Sequence, residues 1–143
     1  MKTVYIAAPN TAHAEASAAA EQIEDSGAAG VVSGWHESWK PHHAYGEATA
    51  ALLEAEAEHD LLDLSFASHL LVLENQNDSA SRGGRHTELG FALARHLAVA
   101  IVGERSNVFH YLPDVRAFGS VEEYIAGLKT EPEPGEGSPM FNS

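Results

Sequence analysis

The residues of this chain best suited to do chemistry are carboxylates, and one of them lies in a glycine-containing stretch. Glu88 belongs to residues 81–90, SRGGRHTELG, which follow an apolar run and lead into a helix-like segment. Such a strand, loop and helix place their turn at the carboxyl edge of a parallel sheet, where ligands bind. The first turn of a helix favours a carboxylate because its N–H groups are unpaired. We therefore expect an ionised Glu88, which is either a nucleophile or partner of an oxocarbenium ion, or simply a Glu at its preferred helix end.

A second carboxylate, Asp60, interrupts the apolar stripe of the longest predicted helix, residues 47–67. The stripe runs through Leu53, Ala57 and Leu64, and Asp60 occupies the position between the last two. An ionisable group that faces a core costs several kcal/mol unless it is paired, hydrogen-bonded or open to a cavity. Asp60 is thus predicted to line a cavity, with a solvent-facing helix end as the alternative.

The aromatic and imidazole groups concentrate in residues 34–46. Trp35, Trp39 and Tyr45 could stack on a planar base, although at least one of them is expected in the core. The chain has nine His but no Cys, and the run WHESW at 35–39 lacks the second His of a metalloprotease helix. We therefore expect neither a metal site nor a cofactor.

Composition limits the partners. The 143 residues carry 8 Lys plus Arg against 21 Asp plus Glu, a formal charge of −13. This charge repels nucleic-acid polymers and anionic membranes, whereas a nucleoside or nucleotide remains possible as a small-molecule ligand. The first apolar run is too short for a signal peptide or a membrane span, so we expect a soluble, cytoplasmic protein.

Strand-like and helix-like segments alternate along residues 1–129, which we predict to form one domain, followed by an acidic Pro/Gly-rich tail at 130–143 that we expect to be disordered. Predicted strands cover 3–8, 30–33, 69–74, 98–102 and 116–118, and predicted helices cover 12–26, 47–67, 86–95 and a segment from 120 to about 128. This alternation predicts a three-layer, flavodoxin-like (Rossmann-like) α/β fold with a mainly parallel sheet of about five strands. In such a sheet the loops after strands one and three share a crevice, which would gather Tyr5, Pro9, Asn10 and Glu88. We expect Pro9, Asn10 and Trp39 to contact the substrate.

Three motifs in this order resemble the nucleoside 2-deoxyribosyltransferase family and its nucleotide N-hydrolase relatives. They are the opening KTVYIAAP at 2–9, Asp60 before strand three, and the run from Gly84 to Gly90 with Glu88-Leu89-Gly90 at its end. The resemblance covers roughly residues 2 to 128. It implies an enzyme of nucleotide metabolism that works as a homo-oligomer, with neighbouring subunits completing each pocket.

The resemblance also implies roles for residues. Glu88 would attack C1′ of a 2′-deoxynucleoside and form a covalent deoxyribosyl intermediate, and another base or water would then take the sugar. Asp60 would protonate the departing base, and Tyr5 would hydrogen-bond the nucleophile. Retaining glycosyl transfer needs one ionised and one protonated carboxyl group, so these residue types suit the chemistry.

The chain departs from the family pattern at two places. Arg82 stands where the family commonly has Asp or Ser, with Ser81 one place further away, and Ala7-Ala8-Pro9 replaces a region where glycine is frequent. We expect substrate contacts from the loop 81–85, namely Ser81, Arg82, Gly83, Gly84 and Arg85. Arg82 and Arg85 either bind a 5′-phosphate, which would favour a 2′-deoxynucleoside 5′-monophosphate N-hydrolase, or face solvent or acidic groups of the chain itself.

Two further functions stay open at this point. One is a non-catalytic nucleotide-sensing module that keeps the pocket without the chemistry. The other is an NAD-cleaving enzyme with a similar sheet and a catalytic Glu.

Overall fold

A computed structural model describes residues 1–38, 49–74 and 83–133, and in these parts strands and helices alternate as the sequence predicts. The strands are β1 (Thr3–Ala7), β2 (Gly30–Val31), β3 (His69–Leu73), β4 (Ala98–Val102) and β5 (Arg116–Phe118). The helices are α1 (His13–Ser26), α2 (Ala50–Ser65), α3 (Gly84–Ala94) and α4 (Val121–Thr130). Short 3₁₀ turns occupy Asn10–Ala12 and Val108–Tyr111.

The five strands form one parallel sheet in the order β2-β1-β3-β4-β5. The chain therefore places β1 between β2 and β3, with Tyr5 opposite Leu70 of β3. The connections from β1 and from β3 leave the sheet in opposite directions along this order. A crevice opens at the carboxyl ends of strands where the order reverses. The predicted flavodoxin-like α/β fold is confirmed.

Alternation along the strands decides which helices cover which face. Val4 and Ile6 of β1 pack in a core with residues of α1 and α4. Tyr5 and Ala7 point to the other face, into a core that includes residues of α2 and α3. Because side chains alternate strictly along a strand, Tyr5 must share its face with the two helices that carry Asp60 and Glu88.

The stripe predicted for α2 is only partly correct. Leu64 is fully buried, but Leu53 and Asp60 are half-buried and Ala57 is exposed. Thus α2 reaches the core mainly through its last turn. The side chains of Leu61 and Leu62 in α2, and of Phe66 directly after it, are exposed.

At the amino edge of the sheet, opposite to the crevice, Lys2 forms hydrogen bonds with the end of α4. The buried ammonium of Lys2 donates hydrogen bonds to the backbone oxygen of Leu128 and, at 2.7 Å, to that of Glu131. The Glu131 carboxylate lies 2.7 Å from both His69 and Arg116. Residues 131–133 thus contact the domain, and residues 134–143 of the predicted tail lie outside the described residues, so its disorder stays a prediction.

Within the three described ranges, no helix combines the length and apolar character needed to span a membrane.

Lys2→Met should destabilise the fold. The substitution leaves the final carbonyl groups of α4 without the cation that caps them, and losing a buried charged hydrogen bond costs about 1–3 kcal/mol. The free energy of unfolding, measured in urea, should fall by this amount. Lys129→Met, at an exposed position of the same helix, is the control and should change stability by less than about 0.5 kcal/mol. Equal effects of the two substitutions would contradict the capping role.

Candidate active site

The centre of the site is a contact between a strand and a helix that are far apart in sequence. The hydroxyl of Tyr5, on β1, donates a hydrogen bond to Oε2 of Glu88, on α3. Tyr5 has no exposed surface, and Glu88 is half-buried. The structure thus brings together two of the residues that the sequence analysis selected.

Helix α3 begins earlier than predicted, and this changes the position of Glu88. Gly83 adopts a left-handed conformation, with φ of +92°, and its carbonyl oxygen accepts from the backbone N–H groups of His86 and Thr87. The helix therefore starts at Gly84, two residues before the predicted start. Glu88 is the fifth residue of α3. The expectation that Glu88 lies in the first turn, where the helix terminus would keep its carboxyl group ionised, is therefore wrong.

The pKa of Glu88 is raised to about 8. Burial is the largest cause and the negative charge of Asp60 also raises the pKa, whereas the hydrogen bond from Tyr5 lowers it. From the sequence we expected the helix to favour the ionised form of Glu88, but the shift of its pKa is in the opposite direction, because desolvation outweighs the factors that favour the anion. Burial and the nearby Glu88 carboxyl also raise the pKa of Tyr5 well above its ordinary value. Tyr5 consequently remains a neutral hydrogen-bond donor.

Asp60 is the second carboxyl group of the site. Its pKa is raised to about 6. Burial is the largest cause, the negative charges of Asp63 and Glu56 also raise the pKa, and the charge of His59 lowers it. Asp60 in turn acts on the pKa values of both Tyr5 and Glu88. The charge of Asp60 therefore links the ionisation of Glu88 to its own.

The sequence analysis did not include Asp63, which joins α2 to the segment after β2. Its Oδ2 accepts from the backbone N–H of Gly34 at 3.1 Å and lies 3.5 Å from Nδ1 of His59. The next residue, Trp35, donates its indole N–H to the backbone oxygen of Ile6 at 2.8 Å. Trp35 also packs against both cores, which confirms that at least one aromatic residue of this loop belongs to the core. The spacing of three residues between Asp60 and Asp63 was the available signal, since such residues neighbour each other on a helix.

Arg85 does not have the open position expected of a phosphate ligand. Its guanidinium group pairs with the carboxylate of Glu74, with 2.7 Å between Nε and Oε1, and the two side chains are only 2% and 3% exposed. Of the alternatives considered for this arginine, binding to an acidic group of the chain itself is confirmed. Because Glu74 directly follows β3, the sequence predicts its place at the carboxyl edge of the sheet. The sequence does not predict that Arg85 is its partner.

The structure describes four of the other residues that were predicted to contact a substrate. Pro9 is buried and Asn10 is exposed, and both directly follow β1 at the carboxyl edge of the sheet. Gly83 and Gly84 form the start of α3. Contacts of these residues with a substrate stay a prediction. Trp39, Ser81 and Arg82 lie outside the described residues.

Among residues 1–38, 49–74 and 83–133, no group of three or more His, Asp or Glu side chains is arranged to hold a metal ion.

Comparison with known proteins finds likeness in structure alone. No protein-family model and no curated protein matches the chain. A 2-deoxyribosyltransferase from the psychrotolerant bacterium Bacillus psychrosaccharolyticus has a similar structure, with a TM-score of 0.64 and 17% identity over 91% of this chain and 98% of that one. A conserved protein from Enterococcus faecalis V583 is also similar, with a TM-score of 0.61 and 15% identity over 90% of this chain and 98% of that one. At this level of identity the chain shares their fold.

Glu88→Gln should make the protein more stable than the wild type as the pH rises. The folded state of the wild type holds a proton on Glu88 that the unfolded state releases above about pH 4.5, so its stability falls between about pH 4.5 and about pH 8. Gln cannot ionise and avoids this loss. The difference in the free energy of unfolding between the two proteins should grow across this interval and then level off at no more than about 5 kcal/mol, since one unit of pKa shift corresponds to about 1.4 kcal/mol.

The exposed Glu58→Gln is the matched control for this titration and should show a difference that stays nearly constant with pH. A constant difference for Glu88→Gln would mean that the carboxyl group of Glu88 titrates normally.

Proposed function

We propose that this chain is an enzyme of the nucleoside 2-deoxyribosyltransferase family that cleaves the N-glycosidic bond of 2′-deoxynucleosides. The observation that carries the proposal is the hydrogen bond from Tyr5 to Glu88, with the carboxyl group of Asp60 acting on both. A buried pair of interacting carboxyl groups with different pKa values is the arrangement that glycosyl transfer through a covalent intermediate requires. The fold shared with a 2-deoxyribosyltransferase supports it.

In the first step, a carboxylate oxygen of Glu88 attacks C1′ of the deoxyribose. The bond between C1′ and the base nitrogen breaks, its electron pair moves to the base, and the base takes the proton of Asp60. The products are a neutral free base and a deoxyribosyl ester of Glu88. The negative Glu88 stabilises the positive charge that develops on the sugar ring in the transition state.

In the second step, a nitrogen of another base or the oxygen of a water molecule attacks C1′. The ester bond breaks and its electron pair returns to Glu88, while the proton of the incoming group passes to Asp60. The protein is then ready for the next substrate. Whether the acceptor is a base or water determines whether the reaction is transfer or hydrolysis.

One proton shared by the two acids suits this cycle. The pKa of Glu88 is raised above that of Asp60, which favours the shared proton on Glu88 rather than on Asp60. The reaction needs the proton on Asp60, so substrate binding must reverse this order. A base nitrogen near Asp60 and a polarised C1′ near Glu88 would both favour the reversed state. Tyr5 keeps its hydrogen bond to Glu88 and limits the basicity of the anion.

The charges at the site favour a nucleoside over its 5′-monophosphate. Glu56 and Asp63 add negative charge around Asp60, and the guanidinium group of Arg85 is already paired with Glu74. A phosphate group would be repelled by this potential, since like charges at short range in a partly buried site interact strongly. We therefore place the nucleoside first among the substrates.

Glu88→Ala should abolish base release from 2′-deoxynucleosides, with a loss of at least about 10³-fold in kcat, because it removes the proposed nucleophile that forms the sugar ester. Release of free base from deoxyadenosine, deoxyguanosine, deoxycytidine and thymidine, with and without an added acceptor base, would be followed by chromatography. Glu58→Ala is the control and should keep wild-type rates. If the wild type releases no base while nucleotides raise its melting temperature, a nucleotide-sensing module replaces the enzyme, and nicotinamide release from NAD would identify the third candidate.

The pH profile of kcat/KM should be bell-shaped, with its plateau between about pH 6 and about pH 8. Below this interval both acids are protonated, so the nucleophile is lost. Above it both are ionised, so the proton donor is lost. Asp60→Asn should remove the alkaline limb and lower the rate by about 10²–10⁴-fold. A rate that keeps rising beyond pH 9 would contradict the role of a shared proton.

A further inference from the structure

The start of α3 is attached to the sheet by a buried ion pair. Arg85 lies in the first turn of α3, and its side chain forms an inward stripe with Leu89 and Ala92. Its partner Glu74 directly follows β3 and continues the sheet by donating its backbone N–H to Val102 of β4 at 2.9 Å. The pair has two contacts, 2.7 Å from Nε to Oε1 and 3.4 Å from Nη2 to Oε2.

A third segment joins the same carboxylate. Oε2 of Glu74 accepts from the hydroxyl of Ser106 at 2.9 Å, in the connection that follows β4. Glu74 thus links the end of β3, the start of α3 and the segment after β4. These are three of the chain segments that build the carboxyl edge of the sheet.

Stability alone does not account for an ion pair at this place. Removing two charges from water costs about as much as their attraction returns, and apolar side chains of similar size usually stabilise a core equally well. What an arginine fork on a carboxylate adds is direction, because its two contacts set both the distance and the orientation of the groups. A function in positioning explains the pair better than a function in stability.

The group that needs positioning lies one turn further along α3. Glu88 follows Arg85 by three residues, and residues at this spacing lie on neighbouring positions of a helix surface. The hydrogen bond from Tyr5 to Glu88 requires α3 to keep a fixed distance from β1. A small displacement of the first turn would move Glu88 away from Tyr5 and from Asp60.

We propose that the ion pair between Glu74 and Arg85 holds the start of α3 where Glu88 meets Tyr5, so that both are positioning residues for the nucleophile. This inference rests on the proposed function of Glu88 but concerns its placement. Neither residue touches the reacting atoms.

The test uses the double variant Glu74→Gln/Arg85→Met, which removes both charges and leaves the net charge of the site unchanged. Because the two charges that pair with each other are removed together, this variant should fold, whereas each single variant should be less stable. We expect kcat on deoxynucleosides to fall about 10–100-fold while KM changes less than about 3-fold, since misplacement of a reacting group acts on the chemical step.

A second measurement determines the pKa of Glu88 and needs no substrate. In protein labelled with ¹³C at the Glu side-chain carboxyl groups, NMR titration gives the pKa of Glu88, with Glu88→Gln used for assignment. In the double variant a displaced α3 admits water, so the pKa should move down from about 8 toward its ordinary value. Since the net charge is unchanged, such a shift reports a change in placement.

The matched control is Arg116→Met/Glu131→Gln, the same pair of substitutions at the amino edge of the sheet, where Arg116 and Glu131 are 2.7 Å apart. It should leave both kcat and the titration of Glu88 unchanged. A folded Glu74→Gln/Arg85→Met protein with wild-type kcat and a wild-type titration would overturn the proposal.

Two more outcomes remain decisive. If the double variant does not fold, Arg85→Lys keeps the charge but loses the fork, and wild-type kcat and titration in that variant would overturn the proposal. If the wild type itself cleaves no nucleoside, the proposed function fails, and the NMR titration alone then decides whether the ion pair positions Glu88.

Discussion

The contact between Tyr5 and Glu88 is the constraint on which the rest of this structure depends. The two residues are 83 positions apart in the chain, and they meet only if β1 lies beside β3 and α3 packs on the face to which Tyr5 points. The parallel order β2-β1-β3-β4-β5 meets the first requirement. Side chains alternate along β1, so Tyr5 points to the face that α3 covers while Val4 and Ile6 point to the other face. This alternation meets the second requirement.

This contact places an acid in surroundings that oppose its ionisation. Desolvation is the largest cause of the raised pKa at both Glu88 and Asp60. A group held away from water in this way is costly for the folded state but reactive toward a substrate that carries developing positive charge. The site thus follows a general pattern in which stability is reduced where chemistry is concentrated.

Sequence patterns were informative about the elements and about the pairing of distant residues. The predicted strands at 98–102 and 116–118 have the observed bounds, and β1 and β3 each end one residue earlier than predicted. Buried parallel strands read as continuous apolar runs, which explains this success. The proximity of Tyr5 to Glu88 followed from the topology of such sheets.

Patterns were less informative wherever the answer depended on the tertiary structure. The start of α3 was missed because a left-handed Gly83 begins this helix without a side-chain cap, so the usual N-cap signal was absent. The stripe of α2 was overestimated because periodicity does not tell how far along a helix the core extends. The partner of Arg85 and the pKa of Glu88 depend on burial and on residues distant in the chain, which no local pattern reports.

The contacts of Met1 and Lys2 with the end of α4 and the residues after it are useful for protein engineering. The terminal amino group of Met1 lies 3.1 Å from the carboxylate of Glu133, at the amino edge of the sheet, whereas Glu88 serves the carboxyl edge. A short linker could therefore join residues 1 and 133, and new ends could be opened in a surface connection elsewhere. Circularly permuted forms would leave the contact between Tyr5 and Glu88 intact, and a molecule attached near residue 1 would extend from the side of the sheet that faces away from this contact.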